Sequence, residues 1–182
     1  MEFKASSLPG VYLITPTTFG DERGFFMESW NAETFSEAGF DIDFVQDNHS
    51  RSARGILRGL HYQTRHTQGK LVRVTAGSVY DVAVDLRRDS PTLGQWYGVT
   101  LDAQQQQMLW IPPGFAHGFY VTADWADFQY KCTDRYDPAS EISIAWDDPQ
   151  LAIDWPLREG EEPSLSAKDQ QGVPFCSAPL IG

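Results

Sequence analysis

The sequence contains few cysteines and few basic residues, and each shortage excludes a class of protein. Its two cysteines, Cys132 and Cys176, are too few for a disulfide framework and are not spaced as a zinc-binding pair, so we expect reduced thiols. The 14 Lys and Arg residues are outnumbered by 25 Asp and Glu residues, which gives a formal net charge of −11. This balance argues against a nucleic-acid partner and against binding to an anionic membrane surface, because both need a basic footprint.

Long apolar runs are also missing from the chain. No stretch of the 182 residues approaches the roughly 20 apolar residues that a membrane-spanning helix needs. The N-terminal segment MEFKASSLPG lacks the apolar core of a signal peptide, and neither a dinucleotide-binding glycine motif nor a P-loop occurs. We therefore expect a soluble, cytoplasmic protein without a membrane partner, and the length fits a single domain over residues 1–182.

Many short segments have the alternating pattern or the apolar content of β-strands. One helix is predicted in the first half, with Asn31 as its N-cap and Gly39 as its stop, and the block LSAKD is compatible with a short helix near the end. Short strands without long helices between them predict an all-β antiparallel sandwich or barrel and exclude a parallel α/β sheet. The predicted strands are residues 11–15, 25–30, 43–49, 55–63, 69–75, 78–85, 95–101, 107–111, 116–122, 125–132 and 141–146.

Residues 78–85 show the alternation most clearly. Tyr80, Val82 and Val84 fall on one face of this strand, and Asp81 and Asp85 fall on the other. A half-buried strand is the structure that such alternation predicts. The two residues that precede it, 76–77, predict a tight connection to the strand before.

Positive charge is concentrated in residues 46–74. After Asp47 no acidic residue occurs until Asp81, although acids outnumber bases in the whole chain. A cleft lined by one sign of charge attracts a ligand of the opposite sign even when the net charge of the protein opposes it. We infer an anionic small ligand next to a titratable imidazole. The basic and imidazole side chains of this window are Arg51, Arg54, Arg58, Arg65, Lys70 and Arg73 with His49, His61 and His66.

The histidines do not form a metal-binding pattern. His61 is followed two residues later by Gln63 rather than by a second histidine, and no carboxylate is spaced to share an ion with His49, His66 or His117. We therefore predict no metal. Nucleophilic catalysis is also disfavoured, because neither cysteine stands beside a histidine in a known motif and no serine occupies a strand–turn–helix elbow.

General acid–base chemistry fits the remaining residues. His61 is the natural base, because an imidazole titrates near neutral pH. Such a base needs an orienting carboxylate, and Asp169 and Asp81 are both candidates between which the residues alone do not decide. Lys70, which the pattern places across a hairpin from His61, would set its ammonium against developing negative charge, and Tyr130 is a candidate acid. The structural alternatives are a hydrogen-bonded strand histidine for His61 and a core position for Tyr130.

The chain resembles the dTDP-4-dehydrorhamnose 3,5-epimerase family of the cupin superfamily nearly from end to end. The blocks that carry the resemblance are FGDERGFFMESWN, FVQDNHSRSARGILRGLHYQ, QGKLVRV, GSVYDVAVDLRRDSPTLGQW, WIPPGFAHGF, YKCTDRYDP and LSAKD. The resemblance implies an antiparallel β-jelly-roll barrel with a few short helices, usually a homodimer, with a nucleotide-sugar substrate and no metal or other cofactor. It also implies inversion of carbons 3 and 5 of dTDP-4-dehydro-6-deoxy-D-glucose to give dTDP-4-dehydro-L-rhamnose.

The resemblance also implies a role for each matching residue. His61 is the base, Asp169 completes its dyad, Tyr130 is the acid, and Lys70 stabilises the enolate oxygen. Tyr136 resembles the aromatic residue placed near the nucleotide. Substrate binding, with the first two residues supplied across the dimer interface, is implied for Arg23, Glu28, Gln46, Asp47, Asn48, Arg58, His117, Glu141 and Lys168.

Three other functions compete with this interpretation. An enzyme on the same scaffold that inverts only one carbon would differ by small changes around Tyr130 and Phe119. A nucleotide-sugar-binding cupin without turnover would keep Arg58 and the run of residues 46–48. It would have no need of the set formed by His61, Tyr130 and Lys70. A metal-dependent cupin enzyme is the third alternative.

Overall fold

The computed structural model describes residues 1–158 and 160–182. A single α-helix is present in these ranges, α1 at Ala32–Glu37, together with two short 3₁₀ turns at Asp169–Gln171 and Phe175–Ser177. None of these helices is long and apolar enough to cross a membrane. The strands are β1 Glu2–Ala5, β2 Tyr12–Thr15, β3 Thr18–Asp21, β4 Gly24–Met27, β5 Gln46–Ala53, β6 Leu57–Gln63, β7 Lys70–Ala76, β8 Ser78–Asp85, β9 Trp96–Asp102, β10 Met108–Ile111, β11 Phe115–Val121, β12 Trp125–Cys132 and β13 Glu141–Ser143.

Most of the strands form two sheets in the described ranges. The six-stranded sheet has the order β1-β2-β10-β7-β12-β5, and the five-stranded sheet has the order β13-β6-β11-β8-β9. Neighbouring strands within each sheet are antiparallel. The predicted all-β antiparallel barrel of the jelly-roll type is confirmed, as is the exclusion of a parallel α/β sheet.

The main core lies between the two sheets, and a second core covers the outer face of the five-stranded sheet. Val72 and Leu109 of the larger sheet meet Val79 and Phe119 of the smaller one in the first core. In the second, the segment that follows β13 packs apolar side chains such as Trp155 against the outward faces of β6, β8 and β11. Both faces of the five-stranded sheet are therefore shielded, and every residue of β11 is buried.

The prediction that β8 is half-buried is wrong for this reason. Asp81 and Asp85 are both fully buried on the inward face, while the opposite face lies under the second core. Asp85 accepts hydrogen bonds from Arg87 at 2.7 and 2.9 Å, from Ser90 at 2.6 Å and from Thr92 at 2.7 Å. Burial alone would raise the pKa of Asp85, but these donors outweigh burial and lower it to about 2. The carboxylates that alternate with apolar residues in β8 are therefore buried beside hydrogen-bond partners and do not form a solvent-exposed face.

The prediction of a hairpin between His61 and Lys70 is also wrong. Strands β6 and β8 belong to the five-stranded sheet, whereas β7, which carries Lys70, belongs to the six-stranded sheet. The connection at 76–77 is tight, as predicted, but it leads from one sheet to the other. Gly77 has φ of 73°, and a Cβ added there would lie 1.9 Å from the carbonyl oxygen of Trp125. Short arches between sheets and hairpins within a sheet have similar sequence patterns, so the pattern did not distinguish them.

The N-terminal part adds a helix and a separate hairpin. Helix α1 begins after Asn31, whose side chain caps it as predicted, and its buried Phe35 packs beside the outer face of the six-stranded sheet. Strands β3 and β4 pair only with each other among the described residues. Their apolar side chains are strongly exposed, with Phe19 at 65%, Phe25 at 62% and Phe26 at 70%. The sequence analysis missed β1 and β3, which are four residues long and contain only one large apolar residue each.

Candidate active site

A cavity of about 340 Å³ lies between the two sheets and collects most of the predicted site residues. Inward-facing side chains line it because residues alternate between the faces of each strand. On β5, for example, Gln46, Asn48 and Ser50 point inward. The complete lining is Gln46, Asn48, Ser50, Arg58, His61, Gln68, Lys70, His117, Phe119, Phe128, Tyr130, Tyr136 and Glu141.

Two glycines let β6 and β11 approach closely at this cavity. A Cβ on Gly59, which has φ of 111°, would lie 2.6 Å from both the Cα of Gly118 and the carbonyl oxygen of His117. A Cβ on Gly118 would lie 2.7 Å from the carbonyl oxygen of Arg58. With the strands this close, His117 stands directly opposite His61 in the ladder. The glycines thus bring the two histidines together.

His61 is held by Asp169, which the chain supplies from the 3₁₀ turn after β13. The His61 Nε2 and the Asp169 Oδ1 are 2.5 Å apart. Asp169 is 3% exposed and also accepts from the hydroxyl of Ser166 at 2.7 Å and of Ser143 at 3.2 Å. Burial alone would raise the pKa of Asp169, but the bonds from His61, Ser166 and Ser143 lower it. An ionised carboxylate accepts the Nε2–H, which leaves the Nδ1 of His61 free to take up a proton.

The same cavity contains a second histidine–aspartate pair. The His117 Nε2 lies 2.9 Å from the Asp81 Oδ2, and both residues are buried. Burial lowers the pKa of His117, against the opposing influence of Asp81. Of the two carboxylates that the sequence left open as partners of His61, the structure pairs Asp169 with His61 and Asp81 with His117.

Lys70 and Tyr130 complete the set of titratable groups in the cavity. Burial lowers the pKa of the Lys70 ammonium, while Cys132, Glu141 and Asp81 act in the opposite direction. Burial raises the pKa of the Tyr130 hydroxyl, and the neighbouring Cys132 and Glu141 raise it further. At neutral pH the phenol therefore carries its proton, as a general acid must.

Polar contacts connect the residues at the rim of the cavity. Glu141 forms an ion pair with Lys168 and accepts a hydrogen bond of 2.6 Å from the Tyr136 hydroxyl. Gln46 accepts from the main-chain N–H of Tyr136 at 3.0 Å and donates to Asn48 at 3.0 Å. Tyr136 is 51% exposed, so about half of this residue is accessible at the opening of the cavity. The arrangement offers an aromatic surface and hydrogen-bonding amides beside the cavity.

Three predicted residues lie away from the cavity. Arg23 is exposed in the turn of the β3–β4 hairpin and pairs with Asp21. Glu28 follows this hairpin and accepts from the Asn31 side chain at 3.0 Å. Asp47 lies on the outward face of β5, where it pairs with Lys131 at 3.0 Å. Within one chain, the structure does not bring these side chains to His61.

In the folded structure, carboxylates from elsewhere in the chain offset part of the positive charge of residues 46–74. Later parts of the chain supply carboxylates to three of its arginines, in the pairs Arg51 with Asp127, Arg54 with Asp124 and Arg65 with Asp137. Arg58 and Lys70 instead line the cavity, and the Arg58 Nε donates to Ser52 at 3.0 Å. Among the described residues of this window, Arg58 and Lys70 are thus the cations that face an anionic ligand in the cavity, and Lys168, which pairs with Glu141, adds positive charge at the rim.

Two residues around the cavity, Phe128 and Ser166, were not singled out from the sequence. Phe119 and Phe128 stack with their ring centroids 4.2 Å apart and form an apolar wall. Ser166 orients Asp169, and its position three residues before the aspartate is a signal that could have found it. No group of three potential ligands close enough to hold a metal ion occurs among residues 1–158 and 160–182.

Comparison with known proteins agrees with this geometry. A family model described as dTDP-4-dehydrorhamnose 3,5-epimerase matches residues 5–177. The chain is 58% identical over 173 residues to dTDP-4-dehydrorhamnose 3,5-epimerase from Pseudomonas aeruginosa, with 94% of each protein covered. The crystal structure of dTDP-6-deoxy-D-glucose-3,5-epimerase from Legionella pneumophila in complex with dTDP-4-keto-L-rhamnose superposes with a TM-score of 0.95 at 53% identity, covering 99% of this chain and 97% of that one.

A more distant structure has a different stated specificity. The 3'-monoepimerase from Streptomyces bikiniensis in complex with dTDP-quinovose superposes with a TM-score of 0.89 at 34% identity, covering 96% of this chain and 88% of that one. Since the family model spans nearly the whole chain and relatives above half identity carry the same name, the predicted family is confirmed. The chain belongs to the dTDP-4-dehydrorhamnose 3,5-epimerase family.

Proposed function

We propose that the protein inverts carbons 3 and 5 of dTDP-4-dehydro-6-deoxy-D-glucose and so produces dTDP-4-dehydro-L-rhamnose. The observation that carries the proposal is the convergence of an imidazole–carboxylate pair, a protonated phenol and an ammonium on one cavity. His61 is the base, Asp169 its orienting partner, Tyr130 the acid and Lys70 the stabiliser of negative charge.

The substrate carbonyl explains how one set of groups serves two carbons. Carbons 3 and 5 both flank the 4-keto group, so loss of a proton from either gives an enolate with its charge on the same oxygen. His61 removes the proton from one face, the electron pair moves to the 4-oxygen beside Lys70, and Tyr130 delivers a proton to the opposite face of the carbon. General acid–base help contributes about 10²–10⁴-fold, and a preorganised donor to the oxyanion contributes about 10²–10³-fold.

The remaining cavity and rim residues provide for the nucleotide part of the substrate. The Arg58 guanidinium is suited to the diphosphate, since its planar fork matches phosphate oxygens in a bidentate manner. The Lys168 ammonium adds positive charge at the rim, and the accessible ring of Tyr136 offers a stacking surface to the base. Gln46 and Asn48 offer amide groups beside it.

Solvent-deuterium incorporation tests the proposed chemistry directly. The enzyme is incubated with the 4-keto sugar nucleotide in D₂O, and NMR follows deuterium at carbons 3 and 5 and identifies the product. His61→Asn should abolish incorporation at both carbons. His66→Asn is the matched control, because His66 pairs with Asp134 outside the cavity. Unchanged incorporation in His61→Asn would refute the proposal. In the wild type, incorporation at one carbon only would favour a single-position epimerase, and tight binding of the sugar nucleotide without incorporation would favour a binding protein.

We further propose a homodimer in which the β3–β4 hairpin of one protomer reaches the cavity of its partner. Its exposed Phe19, Phe25 and Phe26 form an apolar surface that a protein contact would cover, and the hairpin carries Arg23 away from its own cavity. An arginine delivered in this way would add to the charges that meet the diphosphate. Residues 1–182 would then form one cupin-like domain per protomer, and a cytoplasmic location is part of the same proposal, which the two free cysteines support.

Mixing two variants, each of which lacks one part of the proposed shared site, tests the arrangement. If Arg23 acts across the interface, a mixed dimer of Arg23→Ala and His61→Asn has one intact site and one site with both defects. Random exchange of subunits should then restore roughly a quarter of the wild-type activity, because half of the dimers are mixed and each has one working site. Absence of any recovery from subunits shown to exchange would contradict the arrangement.

A further inference from the structure

The mechanism above uses only one of the two histidine–aspartate pairs in the cavity. Asp81 is completely buried on β8 and contacts His117, which lines the cavity, rather than His61. Its second oxygen, Oδ1, is buried and has no hydrogen-bond partner among the described residues. Burying a carboxylate with an unsatisfied oxygen costs free energy of folding, so the presence of Asp81 at this position needs an explanation.

The surroundings of His117 fix both the plane of the ring and the nitrogen that carries the proton. The ring stacks on Phe128 with centroids 5.9 Å apart and an interplanar angle of 22°. The Nε2 faces the Asp81 Oδ2 at 2.9 Å, and a carboxylate accepts but does not donate, so this nitrogen carries the hydrogen. In the neutral ring the Nδ1 is then an acceptor.

We propose that Asp81 is a positioning residue that holds His117 as the Nε2–H tautomer, so that its Nδ1 accepts a hydrogen bond from a hydroxyl group of the bound sugar. The inference rests on the proposed function, since it assigns a partner in that same substrate. A hydroxyl group can donate to such an acceptor, whereas the opposite tautomer would present a donor to it. His117 therefore binds the hydroxyl group through its acceptor Nδ1 and takes no part in removing the carbon-bound proton.

The charges around His117 support the neutral form. Burial, Lys70 on β7 and His61 on β6 all lower the pKa of His117, and together they outweigh Asp81 on β8, which raises it. A cationic His117 would place a second positive charge close to the Lys70 ammonium. The neutral ring avoids this repulsion and keeps the acceptor available.

Asp81 also acts on Lys70, which gives the proposal a second readout. The groups that raise the pKa of Lys70 against the effect of burial are Cys132 on β12, Glu141 on β13 and Asp81, while Lys168 at the rim lowers it. Removing the charge of Asp81 lowers the pKa of Lys70. Activity that requires the ammonium is then lost at a lower pH than in the wild type.

Asp81→Asn and a direct measurement of the tautomer test the inference. Long-range ¹H–¹⁵N NMR of ¹⁵N-histidine-labelled wild type, with His117 assigned by its absence in His117→Gln, should show a protonated Nε2 and an unprotonated Nδ1. In Asp81→Asn the fixed tautomer is lost, KM rises roughly tenfold as expected for one hydrogen bond, and the alkaline limb of the kcat profile moves to lower pH. Asp85→Asn is the matched control, because Asp85 is buried on the same face of β8 but pairs with Arg87.

The outcomes separate this inference from the proposed function. A protonated Nδ1 on His117 in the folded wild type overturns it even if the enzyme epimerises normally, and this measurement does not depend on whether a variant folds. Unchanged KM and an unchanged alkaline limb in folded Asp81→Asn overturn it as well. If the protein bound the nucleotide sugar without turnover, the tautomer and the affinity loss in Asp81→Asn would still support the role of Asp81.

Discussion

Replacing Asp169 by asparagine removes a charge that touches His61 but does not line the cavity. The carboxylate accepts hydrogen bonds from His61 and from two serine hydroxyls. An asparagine of nearly the same shape has one acceptor oxygen and two N–H donors, so at least one of these contacts faces a donor. The substitution therefore changes the electrostatics around the base with little change in packing.

Two effects set the magnitude that we expect. A hydrogen bond to a charged group contributes about 1.5–3 kcal/mol, and about 1.4 kcal/mol corresponds to a factor of ten in rate. Loss of the charge that stabilises the His61 imidazolium should thus cost about 10–100-fold in kcat. If the amide donates to the Nε2, the proton resides on the Nδ1 and the base is blocked, an effect that reaches about 10⁴-fold in a histidine held by an aspartate. We expect kcat to fall by about 10–10⁴-fold in Asp169→Asn, with the upper end reached if the tautomer changes.

The assay is the rate of deuterium incorporation from D₂O together with the affinity for dTDP. Affinity should change little, because Asp169 acts through His61 and makes no contribution to the cavity wall. Asp148→Asn is a control for general destabilisation, since Asp148 is a buried carboxylate that accepts main-chain N–H groups, including that of Phe175, outside the cavity. A folded Asp169→Asn enzyme that exchanges as fast as the wild type would refute the role of the dyad.

Three further predictions concern charge, packing and pH. Lys70→Met should reduce kcat by about 10²–10³-fold with a smaller effect on dTDP affinity. Because burial lowers the pKa of Lys70 from 10.5, the activity of the wild type should decline with rising pH before that value is reached. A pH profile without this decline would argue against an ammonium in the mechanism. Gly118→Ala should lower the urea midpoint by an amount equivalent to about 1–3 kcal/mol, because the added Cβ lies 2.7 Å from the carbonyl oxygen of Arg58, and an unchanged midpoint would disprove the close approach. The pKa of Asp85 falls from 3.8 to about 2 on folding. After allowance for screening, the ionised carboxylate therefore contributes about 1–2 kcal/mol to the free energy of unfolding, fully above pH 3.8 and no longer as the pH falls through 2. The urea midpoint of Asp85→Asn should differ from that of the wild type at pH 7 but not near pH 2.

The local sequence pattern predicted the strands and the helix well, because each depends on neighbours in the chain. Helix α1 follows its capping residue Asn31 as predicted, and β12 has the bounds expected from its apolar and aromatic content. The faces of β8 could not be predicted in the same way. The second core, to which residues far along the chain contribute, covers the apolar face of β8. Asp81 on the opposite face therefore meets a buried imidazole instead of solvent.

The candidate site divides along the same line. The sequence indicated acid–base chemistry around His61, and the family resemblance indicated Asp169 as its partner. The choice between Asp169 and Asp81 could not be made from residue types, because both are aspartates distant from His61 in sequence and only the fold decides which one touches it. The hairpin predicted between His61 and Lys70 failed because the chain changes sheets between them, and the two side chains instead face the same cavity from opposite sheets.

The pairing of His61 with Asp169 joins atoms that are 108 residues apart in the chain. The segment that delivers Asp169 is anchored beside β13 by hydrogen bonds between Val173 and the main chain of Ser143 and Ala145. During synthesis on a ribosome, both sheets are translated before this carboxylate emerges from the exit tunnel. The nascent barrel is therefore expected to close around its cavity while the base still lacks its counterion, and the protein becomes competent for catalysis only when the segment that carries Asp169 docks.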